Sequence, residues 1–285
     1  MVQQGLFAMA GRVLAASDVD EKLQLTRIAV AALRRQEMTM DGDAAVLDVE
    51  CVGRPERPVL VPPARVPRRG MGSRRGRLAA MHAVAHIEFN AINLAWDAVH
   101  RFRLMPEQYY DDWVRVADDE ARHFTMVRDY LRRHGCDYGE MAAHHGLWEM
   151  AERTADDVLE RMALVPRTLE ARGLDVTPMM IGKLEQAGDA DAAAILQVIY
   201  REEIAHVQFG TRWFRHLSAE RGLNPEATFR DLVCKHFPDG LDGPFNDAAR
   251  ADAGFSAQEM AMLTASGDQK AGGSPELGMK RLNRE

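Results

Sequence analysis

The sequence has few cysteines and no long apolar run, and these two absences exclude several classes of protein. Its cysteines, Cys51, Cys136 and Cys234, are odd in number and far apart, so they form neither a disulfide framework nor a Cys-x-x-Cys metal motif. No stretch approaches the roughly 20 apolar residues that a membrane-spanning helix needs. Residues 1–16 lack a basic start and are interrupted by Arg12, which argues against a signal peptide. We therefore expect a cytoplasmic protein that does not bind membranes.

The composition is that of a mildly acidic globular protein with one basic segment. Apolar residues make up 46% and charged residues 28% of the 285 residues, enough for a substantial core. The net charge of 36 − 43 = −7 argues against broad binding of nucleic acids. Six arginines nevertheless lie close together: Arg65, Arg68, Arg69, Arg74, Arg75 and Arg77. They either bind an anion such as RNA phosphate or pair with acidic residues elsewhere on the surface, and the acidity of the chain favours the second.

The apolar pattern predicts an all-α protein with a central helical bundle and an extension at each end. Residues 1–74 should contain two short helices and an extended segment rich in proline and arginine, since prolines cluster between Met40 and Pro67. Over residues 75–220, apolar residues recur at three- and four-residue steps, which predicts four long helices. Residues 221–265 should form a helical extension, and the composition of residues 266–285 is typical of disorder.

The third of the four long helices is predicted to be irregular. It should start near Glu149, bend at Pro166 and weaken at Gly173, with a shorter helical piece over residues 177–186. In the C-terminal extension, glycine, proline and aspartate predict a loop over residues 238–254.

Two copies of one motif mark the second and fourth long helices. Glu120 and His123 form one Glu-x-x-His, and Glu203 and His206 form the other. Residues three apart on a helix lie one above the other on the same face, so a carboxylate oxygen and an imidazole nitrogen can bind one metal ion. One copy arises often by chance, whereas two copies in strongly patterned helices indicate a metal site.

The first and third long helices each carry a lone glutamate on an apolar face. Glu88 lies 32 residues before Glu120, and Glu170 lies 33 residues before Glu203, which indicates two helical hairpins of one design. A buried carboxylate is unfavourable unless it is paired or metal-bound. Two other glutamates compete with Glu170 for its place: Glu152 and Glu160. Four antiparallel helices of this kind would bring four carboxylates and two imidazoles together, the ligand set of dinuclear sites in ferritin-like bundles.

Four stretches of the sequence carry a family resemblance: His86–Glu88, Asp119–His123, Leu169–Arg172 and Glu202–His206. Through them the chain resembles the ferritin-like superfamily of di-iron and di-manganese carboxylate proteins over about residues 75–220. More narrowly, it resembles the DUF455 family over most of its length, and the tRNA-modifying hydroxylases are a nearby group in architecture. The resemblance implies an antiparallel four-helix bundle and six metal ligands: Glu88, Glu120, His123, Glu170, Glu203 and His206.

The resemblance also implies a chemistry. Carboxylates and neutral imidazoles suit iron and manganese, so we expect two iron ions, with manganese as the alternative. The expected function is a non-haem oxidoreductase that activates O2 or peroxide on a small-molecule or RNA substrate. The alternatives are an iron-handling or manganese catalase-like protein and a structural helical protein that does not use the site. The substrate and the oligomeric state stay open, a homo-oligomer included.

Three further residues are expected just outside the ligands. In the family, the acidic residue one place before a ligand glutamate hydrogen-bonds a ligand histidine, often that of the other motif. This implies that Asp119 bonds His206 and that Glu202 bonds His123. Tyr200 lies one turn before Glu203, either as an outer-shell or redox tyrosine or as a core phenol.

The same residues also have a simpler interpretation, in which buried glutamates form salt bridges and lone histidines are core residues. Three arginines could serve as partners: Arg122, Arg172 and Arg201. Six residues on four helices with matching separations favour a metal site over this alternative. His82 and His86 lie off the face of Glu88 and are expected at the surface or against a loop.

Overall fold

The computed structural model describes residues 4–40, 45–66 and 70–271, with side chains for 5–40, 45–66 and 70–265. The all-α prediction is confirmed. The helices are α1 Leu6–Ala15, α2 Val19–Arg34, α3 Arg74–Arg101, α4 Glu107–Arg133, α5 Gly146–Arg153, α6 Val158–Leu164, α7 Ala171–Gln186, α8 Ala190–Glu220, α9 Pro225–His236, α10 Asp247–Asp252 and α11 Ala257–Ala271. A π-helical segment, Val165–Glu170, joins α6 to α7. Two short strands, β1 Gln4–Gly5 and β2 Met38–Thr39, pair in parallel.

The long helices α3, α4 and α8 pack side by side in alternating directions. Near the start of α4, the Tyr109 hydroxyl donates to the Ala98 carbonyl at the end of α3. At the other end, the Gly139 amide beyond α4 donates to His82 near the start of α3. Helices α4 and α8 are also antiparallel, as shown by the hydrogen bond from Arg212 in the last third of α8 to Asp112 near the start of α4. The faces between these helices are apolar, which provides the driving force for their packing.

The region predicted as one bent helix from Glu149 differs from the prediction. It consists of α5, α6, the π-helical segment and α7, with residues 154–157 separating α5 from α6. The distortion begins beside Pro166, which lacks the backbone donor that a regular helix needs. Gly173 does not end a helix, because α7 continues from Ala171 to Gln186.

Helix α7 tolerates an internal proline because a neighbouring side chain satisfies the carbonyl that the proline leaves free. Pro178 cannot donate to the carbonyl of Leu174, four residues earlier. The Asn246 amide donates to that carbonyl at 3.1 Å instead. Asn246 also caps α10, which lies inside the loop predicted over residues 238–254, so that loop prediction is wrong in part.

The two ends of the chain pack onto the long helices. The buried Lys22 ammonium donates to the carbonyls of Val13 and Leu14 and thereby caps the C-terminus of α1. Outside two short 3₁₀ turns, residues 45–66 have no helix, as the prolines predict. Helix α11 extends past Ser266 to Ala271, whereas the rest of the predicted disordered tail, residues 272–285, lies outside the described residues. Across the described ranges, no helix is both long and apolar enough to cross a membrane.

Candidate metal centre

Ligand atoms from α3, α4 and α8 converge in the interior. One atom from each of Glu88, Glu120, His123 and Glu203 lies within 4.8 Å of every other, and three of these four residues are buried. The convergence follows from the antiparallel packing, which sets the middle of each helix at the same level. This group could hold a metal ion.

The second motif extends this cluster. His206 Nδ1 lies 3.1 Å from Glu120 Oε1 and 3.5 Å from Glu203 Oε1. On the other side, His123 Nδ1 lies 3.3 Å from Glu120 Oε2 and 3.2 Å from Glu88 Oε2. Glu120 therefore lies between the two imidazoles, with one carboxylate oxygen facing each.

Each histidine contacts the acidic residue that precedes the glutamate of the other motif. His123 Nε2 lies 2.5 Å from Glu202 Oε2, and His206 Nε2 lies 3.3 Å from Asp119 Oδ2. An ionised carboxylate only accepts hydrogen bonds, so each Nε2 is the donor. In a neutral imidazole this leaves the lone pair on Nδ1, the atom that faces the glutamates. The arrangement fixes the tautomer that a metal ligand requires.

One guanidinium connects the two outer acidic residues. Arg122 donates to Asp119 Oδ1 at 3.0 Å and to Glu202 Oε2 at 2.5 Å. The sequence offers Arg122 as a partner for a buried glutamate, whereas the structure places it between two partly exposed acidic residues. Its position three residues after Asp119 on the same helix predicts that the two side chains are neighbours.

Glu170 enters the site from the π-helical segment. It lines a cavity together with Glu88, Glu120 and Glu203, so all four glutamates face one space. The position of the segment depends on a close contact with α8, since a Cβ added to Gly210 would lie 2.5 Å from Pro166. Short π-helical segments occur often at functional sites, where they redirect one side chain.

The buried charges of the cluster shift one another's pKa values. Burial and the neighbouring Glu120 raise the pKa of Glu88, and burial with Glu203 and Glu120 raises that of Glu170 to about 8. Burial would raise the pKa of Glu120, but the two neighbouring histidines outweigh it and lower that pKa. Burial would likewise lower the pKa of His123, yet Glu120 and Glu88 raise it to about 11. The cluster thus concentrates negative charge, which protons or metal cations can neutralise.

Unsatisfied polar atoms provide a test of whether the residues fit a metal. Glu88 Oε2, Glu170 Oε2 and His206 Nδ1 are buried without a hydrogen-bond partner. Orphaned polar atoms are costly in a protein interior, and here they belong to oxygen and nitrogen donors of one cluster. This donor set suits iron and manganese, so the residues fit the expected metals.

The structure places the competing glutamates elsewhere. Glu160 bonds Lys235 at 2.7 Å and His236 at 3.3 Å, and Glu152 lies 3.7 Å from His145. The hydroxyl of Tyr200 accepts a hydrogen bond from the Asn246 amide at 3.0 Å.

The remaining candidates from the sequence also have other partners. His82 accepts a hydrogen bond from the Gly139 amide, and His86 bonds the Tyr138 hydroxyl and the His144 carbonyl. All three partners lie in the connector after α4. Both histidines are buried, so the loop-contact alternative is right and the surface alternative is wrong. In the basic segment, Arg77 bonds Asp189 and Arg74 bonds the His134 carbonyl, whereas Arg68 and Arg69 lie outside the described residues.

Comparisons with known proteins agree with the narrower of the two resemblances. An uncharacterised protein of Haemophilus influenzae (strain ATCC 51907 / DSM 11121 / KW20 / Rd) is 46% identical over 213 residues, covering 72% of this chain and 74% of that protein. No solved structure matches. The profile of DUF455, described as a protein family of unknown function, matches residues 15–261. This chain belongs to the DUF455 family.

Proposed function

We propose that the protein is a ferritin-like dinuclear non-haem metal oxidoreductase that holds two iron ions and oxidises an organic substrate with O2 or peroxide. The observation that carries this proposal is the balance of charge in the buried cluster. Four carboxylates and two imidazoles that can be neutral surround one space. Two divalent cations would neutralise the four carboxylates, and iron supplies the reversible electron transfer that oxygen chemistry needs.

The contacts within the cluster suggest how the ligands would be shared. Glu88 and His123 lie on one side of Glu120, and Glu203 and His206 lie on the other. Glu120 is therefore placed to contribute an oxygen to each side. Glu170 is the sixth ligand in this proposal, since it lines the same cavity and has an unsatisfied oxygen.

The chain contributes orientation and exclusion of water. Asp119 and Glu202 hold the two histidines through Nε2, and Arg122 holds both acidic residues. The alternating directions of α3, α4 and α8 agree with a ferritin-like bundle. Because the cluster is buried, its charges interact more strongly than they would in water.

Oxygen consumption by the reduced protein tests this function. Full-length protein is reconstituted anaerobically with ferrous iron, which should bind at about two ions per chain, and is then mixed with O2. The variants Glu120→Ala and His206→Ala should lose iron and oxygen consumption together. Glu160→Ala and His216→Ala are matched controls, since Glu160 bonds α9 and His216 lies on the same helix as His206. Activity that persists in both cluster variants would refute the assignment, and uptake of many irons per chain would favour storage.

A further inference from the structure

Two cavities lie next to each other beside the glutamate cluster and share part of their walls. The inner cavity, of about 360 Å³, is lined by all four cluster glutamates, and the outer cavity, of about 400 Å³, lies toward the start of α3. Both have Ile87, His144 and Leu147 in their walls. Each volume is in the range of cavities that bind small molecules. Together the two cavities extend from the cluster toward the start of α3.

A single row of residues on α3 contributes to the walls of both cavities. Arg75, Ala79, Ala83 and Ile87 line the outer cavity, and Ala91 lines the inner one. These residues are four apart, so they follow one ridge along the helix. From Arg75 to Ala91 the helix rises about 24 Å at 1.5 Å per residue, and the ridge winds partly around it. Three alanines in this row leave room for a ligand that lies along the helix.

The two cavities differ in chemistry. Beyond the glutamates, the inner wall is mostly apolar and includes Val84, Val176, Met180, Leu196 and Ile199. In the outer wall, Arg75 is exposed and has no acidic partner within the described ranges. Glu140 lies in the same wall. An anionic group is disfavoured by the apolar part of the inner wall and is attracted to the guanidinium of Arg75 at the outer end.

We propose that the two cavities bind a substrate with an extended alkyl chain and an anionic end. The chain lies in the inner cavity with its far end at the metal cluster, and the anionic end lies at Arg75. This inference rests on the proposed function in that it names the class of substrate for that site.

Chain-length dependence of binding tests the alkyl part. The probes are hexanoate, decanoate and tetradecanoate, titrated into the full-length protein by calorimetry below their micelle concentrations. Affinity should rise about fourfold per added methylene until the inner cavity is filled. Iron content is measured on the same samples, with and without reconstitution. If the reconstituted protein contains iron but does not bind the alkyl probes, this inference alone is overturned. If the protein binds the probes but takes up no iron on reconstitution, the proposed function is overturned.

Two glycines of α7 provide a matched pair of variants. A Cβ added at Gly173 or at Gly182 meets no atom within 4 Å, yet only Gly173 lines the inner cavity. Leucine is the better helix former at both positions, so both variants should fold. Gly173→Leu should weaken tetradecanoate binding at least tenfold, and Gly182→Leu should leave it unchanged. Met180→Trp fills the same cavity and replaces Gly173→Leu in this test if that variant does not melt cooperatively. Equal affinity in the cavity-filling variants and the wild type would overturn the proposal.

A comparison of head groups tests the role of Arg75. Arg75→Gln should weaken decanoate binding at least fivefold and leave the binding of decan-1-ol unchanged, because only decanoate carries a charge. An equal loss for both ligands, or no loss for either, contradicts an anionic end at Arg75.

Discussion

Buried carboxylates occur in two kinds of surroundings among the described residues. Away from the cluster they are paired with arginines, as in Glu259 with Arg167 at 2.6 Å and Asp175 with Arg250 at 2.7 Å. In the cluster, four carboxylates share two imidazoles, and oxygens of Glu88 and Glu170 have no partner. The difference separates two roles, since paired charges can hold elements together, whereas an excess of one sign is stable only with bound protons or cations. Substitutions in the two places should therefore change stability in opposite directions.

The largest loss of stability is expected where a buried pair is broken. Arg167 lies against Phe214, Phe229 and Phe255 and bonds Glu259, so it ties the π-helical segment to α9 and α11. Arg167→Met should lower the free energy of unfolding by about 3–5 kcal/mol, because it leaves Glu259 buried without its cation.

Urea denaturation of the metal-free protein measures this effect. Adding Glu259→Gln to Arg167→Met should recover most of the loss, since the amide removes the uncompensated charge. The control Arg221→Met breaks an exposed pair with Asp157 and should cost less than about 1 kcal/mol. A loss in Arg167→Met no larger than in this control would contradict the distinction between the two surroundings.

The next effect concerns the charges that border the cluster. Arg122→Ala removes the guanidinium that holds Asp119 and Glu202, and the orientation of both histidines depends on those residues. The affinity for ferrous iron should fall by about 10–100-fold, as is typical for loss of outer hydrogen-bond partners. Competition with a chelator gives the affinity. Arg201→Ala, which removes an exposed arginine of α8 that bonds the Gln197 carbonyl, should not change this affinity. Equal affinities in the two variants would show that Arg122 does not act through the histidines.

Lys22 is a buried cation whose hydrogen-bond partners among the described residues are the carbonyls of Val13 and Leu14. Burial lowers the pKa of its ammonium group from 10.5 to about 7. Between these two values the unfolded chain binds the proton more tightly than the folded protein does, so stability should rise with pH. From pH 7 to pH 9 the gain attributable to Lys22 is about 2 kcal/mol.

Urea denaturation at several pH values compares the wild type with Lys22→Met, which has no proton to lose. The free energy of unfolding of the variant should rise less steeply between pH 7 and pH 9. Parallel pH profiles for the two proteins would mean that Lys22 does not titrate in this range.

The smallest expected effect is a gain, rather than a loss, in the stability of the metal-free protein. Glu170→Gln removes one ionisable group from the cluster and should stabilise the metal-free protein at pH 7 by about 1 kcal/mol, because buried Glu170 must take up a proton that the unfolded chain does not bind. The same change should weaken iron binding. Glu185→Gln, at the exposed end of α7, is the control and should change neither quantity measurably. A destabilised metal-free Glu170→Gln protein would place Glu170 among the paired charges.

Much of the fold was accessible from the sequence because long helices repeat one apolar period. The two Glu-x-x-His motifs were visible because helical spacing fixes which residues share a face. The family resemblance added which acidic residue meets which histidine. All-α architecture and the non-helical segment over residues 45–66 followed from periodicity and proline.

The features that escaped prediction depend on tertiary contacts. Helix α10 is short and is fixed by Asn246, whose amide also satisfies the carbonyl opposite Pro178. The π-helical segment depends on close packing against Gly210, which no local pattern encodes. The cavity beside the cluster arises where α3, α7 and the connector before α5 leave space, so it has no signature in any one segment.

Anomalous scattering from crystals of the iron-reconstituted, full-length protein is the most direct test of the metal centre. Data collected on both sides of the iron edge and of the manganese edge identify each metal by its own signal. We expect two iron peaks per chain, in contact with Glu88, Glu120, His123, Glu170, Glu203 and His206. No peak among these six residues, or peaks only at the protein surface, would contradict the proposed site.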